Sequence, residues 1–161
     1  MDKPSLNIVR AADIGTHAQE FSHPWNPNSA MRGMQLARSV GLKRTGVNFI
    51  RVPAGKDSFV YHSHQHEEEW IYVLSGRAIA TIDDAEYQVG AGDFIGFPTP
   101  SVAHLMSNPG PDDLVYLAGG ENREFEVADF PKLGKKMVRS GKQVDIFDSA
   151  DTQAMGPLRP G

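Results

Sequence analysis

Four side chains in the middle of this chain have the types and the spacing to gather one metal ion: His62, His64, Glu69 and His104. In an extended strand alternate residues share a face. The imidazoles of His62 and His64 therefore project to one side, with Cα atoms about 6–7 Å apart, and two imidazoles so placed can converge on one ion through bonds of about 2.0–2.1 Å. Glu69 opens the next β-rich run and can return beside His64. Glu67 and Glu68 compete with it for the carboxylate role, and most members of such an acidic run are solvated. His104 follows the turn at Pro98-Thr99-Pro100 and can close the fourth corner. His66 continues the alternation but would lie about 13 Å from His62 on a straight strand. The polar segment Gln65-His66-Glu67-Glu68 reads as a turn, which places His66 at the rim or behind the ligands. A His-x-His pair alone is most often two surface histidines, and a lone histidine such as His104 a surface or satisfied core residue. The signal lies in the ordered combination.

There is no cysteine, so nitrogen and oxygen must supply any ligands, and disulfide and thiol chemistry are excluded. Three neutral imidazoles and a carboxylate suit one divalent transition metal: Fe, Mn, Ni, Co, Cu or Zn. Four protein ligands leave coordination positions for substrate or water. Binding is expected to weaken below about pH 6, where imidazoles protonate.

Short strands must position these groups. Between Gly46 and Val127, β-rich runs alternate with turn signals in the manner of an all-β sandwich or barrel. Strands are expected near 46–52, 58–64, 69–75, 77–82, 86–89, 93–97, 102–108, 113–118 and 123–127. The turns between them have recognisable chemistry, among them Pro53-Ala54-Gly55, Ser75-Gly76 and Gly90-Ala91-Gly92. Asp83-Asp84 reads as a hairpin turn rather than a catalytic carboxylate pair. By parity with the candidate ligands, Val60, Ile71, Val73 and Met106 face inward and line a possible pocket. Arg51 is the cation to watch, because on an early strand it can meet a carboxylate or phosphate; a solvent-facing position is the plainer alternative. Residues 1–45 read as an N-terminal arm, with a short strand at Leu6–Arg10, packing on the barrel or on a partner subunit. Residues 46–128 form the barrel. Residues 129–161 read as an irregular C-terminal arm, with a short helix or strand near Val144–Phe147.

The whole chain has 161 residues and suits one domain. A net charge of -4 and a pI near 5.8 argue against a nucleic-acid partner. No stretch approaches a membrane span, and MDKPSLNIVRAADI holds no apolar run of signal-peptide length. A cytoplasmic protein without membrane partners is the expectation.

These residues resemble the two motifs of the cupin superfamily. His62-x-His64, four residues, Glu69, six residues and Gly76 match the first, with Gly55 one residue too far upstream. Gly92, five residues, Pro98, then His104, three residues and Asn108 match the second, with Pro100 where glycine is usual and one extra residue before His104. The match covers Gly46 to about Ala118 and looks like the small bacterial single-domain cupins. The resemblance implies a double-stranded β-helix, the cupin jelly-roll barrel, and assigns the metal ligands to His62, His64, Glu69 and His104. It implies a homodimer, with pairing through a sheet face or an N-terminal strand that covers an exposed edge. The function expected from it is a metal-dependent enzyme acting on a small oxygenated molecule, as a dioxygenase or a sugar or sugar-phosphate isomerase or epimerase. A non-catalytic ligand-binding or sensor cupin is the alternative. The effector domain of a regulator ranks last, since no helix-turn-helix segment precedes the barrel.

Overall fold

A computed structural model describes residues 6–153 and 155–156. Its elements, in chain order, are α1 (Ala11–His17), β1 (Gln19–Phe21), β2 (Met31–Gln35), α2 (Leu36–Ser39), β3 (Thr45–Val52), β4 (Ser63–His64), β5 (Glu69–Ser75), β6 (Arg77–Ile82), β7 (Ala85–Gly90), β8 (Phe94–Phe97), β9 (His104–Ser107), β10 (Leu114–Glu121), β11 (Phe125–Phe130), β12 (Lys135–Ser140) and β13 (Gln143–Asp148). The protein is nearly all-β, as the turn spacing predicts.

The spine is the antiparallel pair β3–β10, in register from Leu114 opposite Val52 to Glu121 opposite Thr45. Around it runs a six-stranded sheet in the order β1-β2-β3-β10-β5-β8. A second layer is built from β7-β6-β9 and β13-β12-β11-β4. An isolated bridge between His62 and His104 joins these two parts. The resulting antiparallel arrangement is a jelly-roll barrel.

The core lies between the layers. Val52, Val73 and Leu114 come from the six-stranded sheet and are fully buried, against Ala78, Ala80 and Met106 from the facing layer. Each large aliphatic side chain buried in this way contributes about 1.5–3 kcal/mol. A smaller cluster of Val60, Ala128 and Phe130, flanked by Trp25 and Met137, supports the other side of the site.

Turn chemistry sets the register of the strands that carry the site. Asp83 and Asp84 have φ of 49° and 61°, the two left-handed residues of a two-residue hairpin turn joining β6 and β7. Gly76 has φ of 84°, and a Cβ there would lie 2.6 Å from the Asp113 carbonyl oxygen. Only glycine fits that approach, which explains the residue's place in the motif.

Three expectations need correction. Leu6–Arg10 is not a strand: Leu6 and Asn7 form a turn, and α1 begins at Ala11, with the Arg10 backbone N–H donating to Asp13 Oδ2 at 3.1 Å. The run 58–64 keeps strand geometry only at Ser63–His64. Before it the chain touches β9 at intervals, through Ser58 N to Met106 O at 2.9 Å and the His62–His104 pair, while Val60 turns into the smaller core. Between Lys135 and Asp148 the C-terminal arm is not irregular: β12 and β13, the latter on the short element expected near Val144–Phe147, form a hairpin that extends the sheet from β11. Its Lys-Lys-Met-Val-Arg-Ser sequence hid a strand because long charged side chains cover apolar surface with their stems. No helix among the described residues is long and apolar enough to cross a membrane.

Candidate metal centre

Backbone pairing brings the first two histidines together. His62 N donates to His104 O at 3.2 Å and His104 N to His62 O at 2.8 Å, so residues 42 positions apart stand directly opposite each other. Their ring centroids are 4.7 Å apart. His64, two residues along, lies with its ring centroid 4.9 Å from that of His62. Glu69, the first residue of β5, closes the group: its Oε2 is 3.0 Å from His104 Nε2 and 3.4 Å from His64 Nε2. One donor atom from each of His62, His64, Glu69 and His104 lies within 4.8 Å of every other.

The surroundings orient these atoms. His62 Nδ1 is 2.7 Å from the Val60 carbonyl oxygen and His104 Nδ1 is 3.1 Å from that of Val102. A ring nitrogen facing a carbonyl carries the proton and leaves the lone pair on Nε2. Phe97 stacks on His104 at 3.7 Å and 12°, which fixes the plane of that ring. The fit to a cation follows from the donors themselves. Imidazole nitrogens and a carboxylate crowd one point, the other ring nitrogens of His62 and His104 are already engaged by carbonyls, and the set suits a divalent transition metal.

Charge and burial act differently on each group. Burial, with the neighbouring His104, pushes the His62 imidazole down to about 4. Burial also opposes a proton on His64, but the hydrogen bond and charge of Glu69, aided by Glu126, outweigh it and raise His64 above the ordinary value. Burial alone would raise Glu69; the His104 and His64 imidazoles at 3.0 and 3.4 Å, with His62 close by, instead hold it well below the usual carboxylate range. Glu69 is thus an anion, the form a cation needs.

Sequence reasoning missed Glu126. It is fully buried on β11, where the register Ala128–His64 brings it opposite His66. Its carboxylate accepts the backbone N–H of Gln65 at 2.9 Å and of His66 at 3.2 Å, and its Oε1 lies 3.5 Å from His64 Nδ1. The available signal was alternation: Glu126 shares its strand face with Ala128 and Phe130, both core residues. Glu67 is also buried rather than solvated. It accepts the Arg123 backbone N–H at 2.6 Å and pairs with the Arg139 guanidinium. His66 stands outside the four-residue group, its Nδ1 3.8 Å from Glu126 Oε2.

A cavity of about 790 Å³ opens in front of the cluster. Ile71 and Met106 line it, with Met31, Ile50 and Tyr116. Burial raises the Tyr116 hydroxyl far above its ordinary range, only partly offset by a hydrogen bond with Ser58, and the Glu69 charge pushes the same way. Val60 and Val73 do not reach the cavity, because each is packed in one of the two cores. Arg51 points to the surface and pairs with Asp113 at 2.9 Å.

A family profile described as "Cupin domain" matches residues 48–119. A crystal structure of an Acidithiobacillus ferrooxidans protein called "Putative sugar phosphate isomerase" superposes with a TM-score of 0.90 at 33% identity, covering 94% of this chain and 98% of that one. A sugar phosphate isomerase of the cupin superfamily from Silicibacter pomeroyi superposes at 0.76 with 18% identity, covering 87% and 94%, a likeness of fold. An uncharacterised protein of Methanocaldococcus jannaschii is 37% identical over 70 residues, 44% of this chain; the match spans only 54% of that relative's length. The chain belongs to the cupin superfamily.

Proposed function

We propose that this protein is a metal-dependent enzyme acting on a small oxygenated molecule, with isomerisation as its reaction class. The observation that carries the reading is the convergence of His62, His64, Glu69 and His104 beside a cavity of small-molecule size, which His62, Glu69 and His104 line. A divalent transition metal bound there supplies Lewis-acid polarisation of a substrate oxygen. The chain's own residues do the rest. The Val60 and Val102 carbonyls hold two rings in place, the anionic Glu69 balances charge, and Tyr116, kept protonated, offers a hydrogen-bond donor inside the cavity. Isomerisation is supported by the name of the Acidithiobacillus relative, which aligns over nearly all of both chains.

Dioxygenation is the second reading. It is favoured by the nitrogen-rich ligand set, which suits iron, and by the apolar side chains of Ile71 and Met106 beside the centre. Metal analysis of untagged protein, followed by O₂ uptake and isomerisation assays on the metal-loaded form, separates the two. Loaded protein that turns over neither substrate class would return the reading to a binding or sensor cupin. A homodimer belongs to the same proposal. It is supported by a row of exposed rings and aliphatics on the sheet exterior, including Tyr72, Leu74 and Phe94, a patch of the kind that marks association.

A further inference from the structure

We infer that the molecule taken up at this centre carries no phosphate, and that it presents an apolar body behind its metal-binding oxygens. The inference rests on the metal-centre reading above and specifies its substrate class. Among the described residues, no lysine or arginine lines the cavity. Of the described cations nearby, Arg38 is exposed beside the lining residue Ser39 without itself lining the cavity, and four others are committed elsewhere. Arg51 is outside, on Asp113; Arg32 donates to the Gly15 carbonyl at 3.2 Å; Arg123 and Arg139 lie behind the centre, on Glu121 and Glu67. His17, among the lining residues, already turns Nδ1 to the Asp13 carbonyl at 3.0 Å.

A phosphate dianion in this cavity would find one cation, the divalent metal, and Glu69 already offsets half of its charge. Proteins that hold phosphate groups supply guanidinium, ammonium or clustered backbone N–H donors. A buried dianion without them is strongly disfavoured. The walls are suited to a different ligand. Met31, Ile50, Ile71 and Met106 form a buried apolar surface continuous with the cluster, and Asn48, Ser58 and Tyr116 offer neutral hydrogen-bonding groups. A compound with two neighbouring oxygens for the metal and a hydrocarbon remainder matches both parts.

The test is calorimetric titration of metal-loaded full-length protein, its metal content measured on the same samples, with 2,4-octanedione and with fructose 6-phosphate. The expected result is binding of the diketone about tenfold tighter or more than the sugar phosphate. An Asn48→Arg variant, which adds a cation to the wall at a partly exposed position, should narrow that preference by about tenfold. Sugar phosphate binding as tight as the diketone in the unmodified protein, or no diketone binding at full metal content, overturns the inference while leaving the metal centre intact. Failure to hold any transition metal overturns the metal-centre reading itself, and the substrate class falls with it.

Discussion

The front and the back of the histidine cluster are built on opposite principles. In front, toward the cavity, the neighbours of His62, Glu69 and His104 are Ile71, Met106 and Tyr116, with no fixed charge beyond Glu69. Behind His64 the structure concentrates charge: Glu126 is fully buried, and Glu67 is held by the Arg139 guanidinium and the Arg123 backbone. The orientation of the rings divides in the same way. His62 and His104 are held by carbonyls of their own strands two residues away, whereas His64 faces a carboxylate from β11, 62 positions along the chain. A neutral front leaves the chemistry to whatever occupies the centre, and a charged back fixes the ligand that local backbone does not hold.

Breaking the front should have the largest effect. His104→Ala removes a donor and the ring against Phe97, and it leaves Glu69 without its 3.0 Å partner. Metal content should fall by about tenfold or more, and stability by about 2–4 kcal/mol, read by elemental analysis and thermal melting on the same preparation. Unchanged occupancy would remove His104 from the ligand set.

Breaking the back should act through His64 alone. Glu126→Leu should weaken metal affinity by about 10–100-fold, while Glu126→Gln, which keeps an acceptor for the Gln65 and His66 N–H groups, should lose less. Equal losses in both variants would mean that the carboxylate charge matters more than its hydrogen-bonding shape. No loss in either would end the contrast between local and distant orientation.

A pH series sharpens the same contrast. His62 stays neutral down to about pH 4, so protons do not compete with metal there until strong acid. His64 holds its proton to higher pH than an ordinary imidazole. In the metal-free protein the His64 pairing stabilises the fold below pH 6.5 and is lost as pH rises through the raised value. Metal must displace that proton, so affinity should climb with pH through and just above 6.5 and then level off. Competition titrations between pH 5 and about 8 test this, and Glu126→Leu should shift the climb to lower pH. A pH-independent affinity around neutrality would contradict the assigned influence of Glu69 and Glu126 on His64.

The smallest effect is expected at Arg51. Its ion pair with Asp113 is half exposed and away from the cavity. Arg51→Ala should change stability by about 0.5 kcal/mol or less and leave ligand binding unaltered, as followed by denaturant unfolding and calorimetry. A clear loss of ligand affinity would bring Arg51 back to the site.

How much was legible in the chain differs along the same front-to-back line. Alternation puts His62 and His64 on one face, because a strand's period of two fixes which side chains share a side; the choice of Glu69 among three glutamates and the place of His104 came from the resemblance to the cupin motifs. The barrel strands from β5 to β8 were legible for a related reason, since turn residues at Asp83-Asp84 and Gly76 punctuate them. Glu126 was hidden in the run Glu124-Phe125-Glu126, where charge suggests solvent. β12 was hidden by its lysines, whereas β13 falls on the short element expected near Val144–Phe147. Val60 and Val73 obey parity yet face core rather than cavity, because parity gives the side of a strand and not what covers it.

The order of residues along the chain specified an all-β protein, a nitrogen-and-oxygen donor set without thiols and a His62-x-His64 pair on one strand face. Those are local properties, set by side-chain chemistry and by a two-residue repeat. Tertiary structure decided that His64 would be backed by a buried glutamate, that Arg51 would face outward, and that the space before the cluster would be walled in part by aliphatic side chains, with no lysine or arginine among the described lining residues. Each of those depends on register between segments far apart in sequence, and register is settled by the packing of the whole barrel.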